Sequence, residues 1–164
     1  MLKQLSAHDE LCLRAEKWLN QQGCKVVIRD PFRCSTNKEQ PDAIGWRDGV
    51  SIVTEAKTSR ADFLSDKNKT FRKRPSLGMG DWRFYICPPE IIQVSDLPKG
   101  WGLLWVTPKT VRKMHGVPPN TNWHRLKPFD GNKLNETRLL TSAMRRFAVR
   151  RLLETVYLPI GETL

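Results

Sequence analysis

The chain opens on a helical pattern. Over residues 6–22, Leu11, Ala15, Trp18 and Leu19 fall on one stripe, Leu5 extends it upstream, and charged residues fill the other positions. Ser6 with Asp9 three residues later reads as an N-cap and a variant of the capping box, and Gly23 as the residue that ends the helix. The period then shortens. Cys24–Arg29 reads as a strand, and 30–40 (DPFRCSTNKEQ) as a polar loop. Asp42–Trp46 and Val50–Lys57 are two short runs around Asp48-Gly49, a pair that accepts positive φ at both positions. This predicts a β-hairpin whose return strand is rich in β-branched residues.

Further on, Ser59 is placed to cap a short helix that turns Phe63 and Leu64 inward. Ser76–Gly80 is a loop without a P-loop lysine, which argues against nucleotide binding. Trp82–Cys87 and Gly102–Thr107 read as buried strands, each closed by proline, with Ile91 and Ile92 on a turn or short helix between them. Residues 108–134 are rich in Pro, Asn and Lys and predict an extended loop or a small hairpin. Residues 135–155 predict a helix capped by Asn135. Its apolar stripe is Leu139, Leu140, Met144, Phe147 and Leu152, and its basic face is Arg138, Arg145, Arg146, Arg150 and Arg151. That face is either a packing surface or a second contact for a polyanion. The whole is an α/β chain with a mixed central sheet and flanking helices, read as one domain over 1–164. Its least recognisable part is 108–164.

Composition adds a partner class. The 164 residues carry 39% apolar residues and six Trp, enough for a folded core, and a net charge of +11. Such a surplus points to a polyanion. It is clustered: within 57–74, Lys57, Arg60, Lys67, Lys69, Arg72, Lys73 and Arg74 face only Asp62 and Asp66. Because this run leaves the hairpin directly, it reads as a rim for phosphates. Phe71 within it is either a base-stacking ring or an apolar anchor. The four cysteines show no CxxC spacing and no paired histidines, so reduced thiols and a cytoplasmic location are expected. The N-terminus is too charged for a signal peptide, and no apolar run approaches a membrane span, so no membrane partner is expected.

The hairpin carries the chemistry. Glu55 and Lys57 point to one face of the return strand, and pairing brings Asp42 beside Glu55. Two adjacent carboxylates call for a cation, and Mg²⁺ is the usual one for oxygen ligands. Lys57 is then placed to orient a water or to stabilise transition-state charge on a phosphodiester. The plainer alternative is an exposed hairpin with an ion pair.

Pro41-Asp42 followed by Glu55-Ala56-Lys57 resembles the PD-(D/E)XK nuclease superfamily. The longer run EAKTSRADFLSDK is similar to the corresponding block of MmcB-like proteins, a DNA-repair-associated group, through Ser59, Arg60, Asp62 and Phe63. The resemblance covers about the middle half of the chain. It implies a restriction-endonuclease-like αβββαβ core and a Mg²⁺-dependent deoxyribonuclease, with Mn²⁺ able to substitute. It also implies Asp42, Glu55 and the Ala56 carbonyl as metal ligands, Lys57 as a catalytic residue, and room for a homodimer. In several such families a first-helix glutamate reaches the metal; Glu10 is the best match and Glu16 the second. His8, His115 and His124 are expected at the surface, and Asp62 in a salt bridge with Arg60 or Lys67. The rival expectations are an inactive nucleic-acid-binding module of the same fold and an RNA-directed nuclease; a protein-interaction domain is the weakest.

Overall fold

The structure is a computed structural model, and residues 4–29, 31, 38–119 and 122–162 are described. Helix α1 (Ala7–Gln21) is capped by Ser6, whose hydroxyl accepts the Asp9 N–H while Asp9 accepts the Ser6 N–H, the reciprocal box read from the sequence. Gly23, with φ +85, follows the last turn. Six strands come next: β1 (Val26–Arg29), β2 (Ala43–Arg47), β3 (Val50–Ala56), β4 (Trp82–Cys87), β5 (Trp101–Val106) and β6 (Val111–His115). They form one open sheet in chain order, with β3, β4 and β5 parallel and the outer pairs antiparallel. Asp48 and Gly49 turn the β2–β3 hairpin with φ of 47 and 79, as the Asp-Gly pair predicts. The chain is thus α/β with a mixed six-stranded sheet and flanking helices. Among the described residues no helix is long and apolar enough to cross a membrane.

β3 is buried along its full length, so both its faces are covered. On one face Val50, Ile52 and Ala56, with Trp82, Phe84 and Ile86 of β4, pack under Leu11, Ala15, Trp18 and Leu19 of α1. Trp18 meets Phe84 edge-on at 5.3 Å between ring centroids. Gly102 is required here, since a Cβ on it would come within 2.2 Å of the Phe84 ring. The opposite face is covered by shorter pieces: α2 (Arg60–Asp66), α3 (Thr70–Lys73) and the start of α4 (Lys133–Val149). β3 presents Ser51, Val53 and Glu55 to that side, and Lys57 follows them.

Several expectations change. Of the extended loop or small hairpin expected over 108–134, 111–115 is strand β6, which forms a hairpin with β5 through a tight connection at 107–110 rather than with a strand of its own segment. Helix α4 begins two residues earlier than predicted, because Asn132, not Asn135, accepts the capping N–H, and it ends at Val149. Only the first turns of its apolar stripe are covered: Leu139 is buried, whereas Met144 and Phe147 are exposed. Leu64 is also exposed, while Phe63 packs inward against Tyr85. Most of the 30–40 loop, Cys34 included, lies outside the described residues. Cys12, Cys24 and Cys87 are buried and form no disulfide among the described residues.

One polar cluster pins α4 to the sheet. Buried Asp81 accepts the Ser51 N–H at 2.9 Å and the Gly131 N–H at 3.0 Å, and Lys133 Nζ stands 2.6 Å away. Buried Glu136 accepts from Ser51 Oγ at 2.7 Å, from the Gly80 N–H at 3.0 Å and from Lys133 at 3.1 Å. Burial pushes the Asp81 carboxyl up, but Lys133 and the N–H groups of Gly131 and Ser51 outweigh it and hold the group below its ordinary value. A carboxylate with a lowered folded pKa stabilises fully above its unfolded pKa, and that contribution fades as pH falls through the folded value. Asp81→Asn is therefore expected to cost about 2–4 kcal/mol near neutral pH and distinctly less at about pH 3. Denaturant unfolding of both proteins at the two pH values checks this; a gap of constant size would refute the role given to the charge.

Candidate functional site

The other polar cluster forms at the opposite end of β3. One step beyond the paired residues Ala43 and Thr54, Asp42 stands across from Glu55. Asp42 Oδ2 accepts the Ala56 N–H at 2.7 Å, which fixes the carboxylate at the sheet end. Burial and then the field of Glu55 push its carboxyl up to about 6, against the pull of the Ala56 N–H, His8 and Lys57. The residues expected to act together, Asp42, Glu55, Ala56 and Lys57, are thus neighbours.

Their surroundings are more highly charged than the sequence suggested. Lys57, with 5% of its side chain exposed, points its Nζ at Asp66 Oδ1, 3.1 Å away, and lies 3.6 Å from Asp62. Asp66 also accepts from Tyr85 Oη at 2.7 Å and from Arg72 Nε at 2.7 Å, and pairs with Lys69 at 2.7 Å. Arg72 then reaches Glu55 with Nη2 at 3.0 Å and Glu39 with Nη1 at 3.6 Å. Its guanidinium lies 4.5 Å from the Trp101 ring centroid and 4.8 Å from that of Phe71. Burial works against the charges of Asp66 and Arg72, yet the surrounding opposite charges prevail: the Asp66 carboxyl is held well below its usual range and the Arg72 guanidinium is firmly cationic. Glu39 goes the other way. Burial raises it to about 7, although the Met79 N–H, donating at 2.8 Å, and Arg72 pull it down.

The basic run therefore divides. Arg72 is no rim residue; with 4% of its side chain exposed, it is the internal counter-ion of Glu55 and Asp66. Phe71 is an apolar anchor, 7% exposed. Arg60 is exposed but engaged, with both terminal nitrogens on the Asp96 carboxylate. Asp62 pairs with Lys57, not with Arg60 or Lys67. Lys67, Lys69, Lys73 and Arg74 remain exposed. Beside Asp42 a cleft of about 430 Å³ is lined by Lys38, Gln40, Lys69, Thr70 and Phe71, so two cations flank the carboxylate where it meets solvent.

Glu10 is not brought to this cluster. It is exposed and lines a separate, mostly apolar cleft of about 550 Å³ with Leu11, Arg14, Thr58 and Pro88. Glu16 pairs with Arg29 at 2.8 Å. The helix residue that does reach Asp42 is His8, whose Nε2 stands 3.2 Å from Oδ1. Two residues apart on a helix lie about 200° apart around its axis, so His8 and Glu10 cannot serve the same side. His115 and His124 are exposed, as expected.

Sequence reading missed Glu39, Asp66 and Tyr85. Asp66 and Arg72 meet across the break between two short helices, where no helical spacing applies. Tyr85 was findable in principle, since it is the β4 residue that registers with Glu55.

No family model matches the sequence, and no curated protein matches it. Among solved structures, the SPO1766 protein of unknown function from Silicibacter pomeroyi is similar, with a TM-score of 0.62 at 21% identity. The likeness covers 96% of this chain and 99% of that one. It extends to the fold, over nearly the full length of both.

Arg72→Met would leave Glu55 and Asp66 buried without their shared counter-ion. The expected loss is about 3–5 kcal/mol in denaturant unfolding. Arg72→Lys, a point charge that cannot bridge both carboxylates, should recover only part of it. A loss below about 1 kcal/mol for the methionine variant would mean the guanidinium is solvated in solution.

Proposed function

We propose that this chain is a metal-dependent DNA phosphodiesterase of the PD-(D/E)XK type, built on a restriction-endonuclease-like αβββαβ core. The observation that carries the reading is the juxtaposition of Asp42 and Glu55 at one end of the sheet, with Lys57 immediately after the end of β3 and a cation-lined cleft opening beside Asp42. Two carboxylates and the Ala56 carbonyl are an all-oxygen donor set, which suits Mg²⁺ with Mn²⁺ as substitute. The raised Asp42 carboxyl also marks a position where a cation would relieve the repulsion of Glu55. When bound, the metal supplies Lewis-acid activation of water and neutralises charge on the scissile phosphate.

The chain's own residues do the rest. Asp66 and Asp62 hold the Lys57 ammonium at a fixed place, where it orients the attacking water or meets developing charge. Lys38 and Lys69 receive the phosphate at the cleft, and Lys67, Lys73 and Arg74 extend the positive surface along the backbone. Arg60 joins them only by leaving Asp96.

A second reading has its own support. Glu55 is already paired with Arg72 and Lys57 with Asp66. A cluster neutralised from within suits a nucleic-acid-binding module of the same fold that does not cut.

Labelled single strand, duplex, flap, splayed arm and four-way junction, in DNA and in matched RNA, separate these readings when incubated with Mg²⁺, Mn²⁺ or EDTA. Metal-dependent cutting of DNA is expected, with Asp42→Ala and Lys57→Ala each slowing it about 100-fold or more. Salt-dependent binding without cutting of any substrate would replace the hydrolase by the binding module. Preferential cutting of RNA would reassign the substrate.

A further inference from the structure

The same carboxylate faces a second set of potential ligands. His8 and Cys12 lie four residues apart on α1, hence on one face of the helix, and that face meets Asp42 at the end of the sheet. His8 Nε2 stands 3.2 Å from Asp42 Oδ1 and 3.9 Å from Cys12 Sγ. One ligand atom from each of the three residues fits within a mutual distance of 4.8 Å. Ordinary tetrahedral zinc bond lengths place a nitrogen and an oxygen ligand about 3.3 Å apart, and a nitrogen and a sulfur about 3.6 Å apart. The two His8 spacings are close to both values, and Cys12 Sγ and Asp42 lie within 4.8 Å of each other, so closing on an ion asks chiefly for their mutual approach.

The donor chemistry then selects the metal. A thiol and an imidazole beside a carboxylate suit a borderline transition ion, whereas Mg²⁺ takes an all-oxygen set and gains nothing from the nitrogen and sulfur. We infer that His8, Cys12 and Asp42 form a three-ligand site for a tetrahedral transition-metal ion of the Zn²⁺ class. The division of labour within Asp42 supports this: Oδ2 is committed to the Ala56 N–H, which leaves Oδ1 to face His8. Burial differs across the site. Cys12 is fully enclosed in the core, while 42% of the His8 side chain is exposed, so the fourth position opens on the solvent side. Three protein ligands and one open position is the arrangement of zinc sites that bind water or substrate. On binding, the Cys12 thiol gives up its proton to solvent. The metal site stands on these three residues alone; its service to catalysis rests on the phosphodiesterase reading, through the shared Asp42.

The test is direct metal binding by the full chain after chelator treatment. Titration with Co²⁺ should give one ion per chain and a thiolate-to-cobalt charge-transfer absorption that Zn²⁺ displaces. His8 is partly exposed, so His8→Ala should fold; it should weaken Co²⁺ binding more than about 100-fold, exceeding the loss of even an outer-shell partner. Cys12→Ser should remove the sulfur band, and His115→Ala should keep it. Absence of the band, or a band that survives both His8→Ala and Cys12→Ser, overturns the site and leaves the His8–Asp42 contact as a plain ion pair. DNA cleavage is assayed separately on the same samples. A cobalt band without cleavage upholds the metal site while refuting hydrolysis, and Mg²⁺-dependent cleavage without the band does the reverse.

Discussion

A single buried guanidinium holds the Glu55 end of this sheet together. Arg72 is inserted among Glu39, Glu55 and Asp66, under the ring of Trp101. Carboxylates taken out of water are tolerated only when paired and hydrogen-bonded, and a planar fork reaches several at once where an ammonium could not. Through Asp66 the same arrangement fixes Lys57 and Lys69 and engages the Tyr85 hydroxyl. Glu55 of β3 and Tyr85 of β4 are both placed by contacts leading back to this centre. The two short helices α2 and α3 have little apolar surface of their own, apart from Phe63 and Phe71, and the ion network supplies the rest of what docks them.

The two faces of β3 explain how one strand serves both apolar packing and two polar clusters. Val50, Ile52 and Ala56 are committed to α1, whereas Ser51 and Glu55 point to the other side, with Val53 between them. The Ser51 end closes over Asp81, Lys133 and Glu136. There one ammonium is shared by two carboxylates and every named group is satisfied from within the chain. The Glu55 end differs in kind. Asp42 and Glu39 are both raised in pKa, and Asp42 borders a cleft. A region left with carboxylates of raised proton affinity, beside an opening, is where an external cation has most to offer.

Most of the frame was legible in the sequence because its signals are local. The Ser6–Asp9 box, the Asp48-Gly49 turn, the Ser59 cap and the apolar strands Trp82–Cys87 and Trp101–Val106 each depend on neighbours in the chain. The hairpin placed Asp42 by Glu55 for the same reason. What was not legible depends on contacts between distant segments. Nothing in FRKR distinguishes the buried Arg72 from the exposed Lys73 and Arg74. Nothing in AHDE says that His8, not Glu10, faces Asp42, because both lie in the first turns of a helix whose rotation about its axis is set by Leu11, Trp18 and Leu19 packing on the sheet. The β6 strand was hidden by its composition: at the open edge, only one side of VRKMH needs to be apolar.

Strand order in the sheet follows strand order in the chain. A nascent polypeptide can therefore build this sheet one neighbour at a time as it leaves the ribosome, each strand adding to an edge already present. Helix α1 is synthesised before the face it will cover, and the hairpin that carries Asp42 and Glu55 follows it. Arg72 arrives before β4, so the charge of Glu55 can be met before the strand that seals it is made. Lys133 and Glu136 come late, and the Ser51 end is the last to close. In such an assembly the sheet's growing edge is exposed only until the next segment emerges.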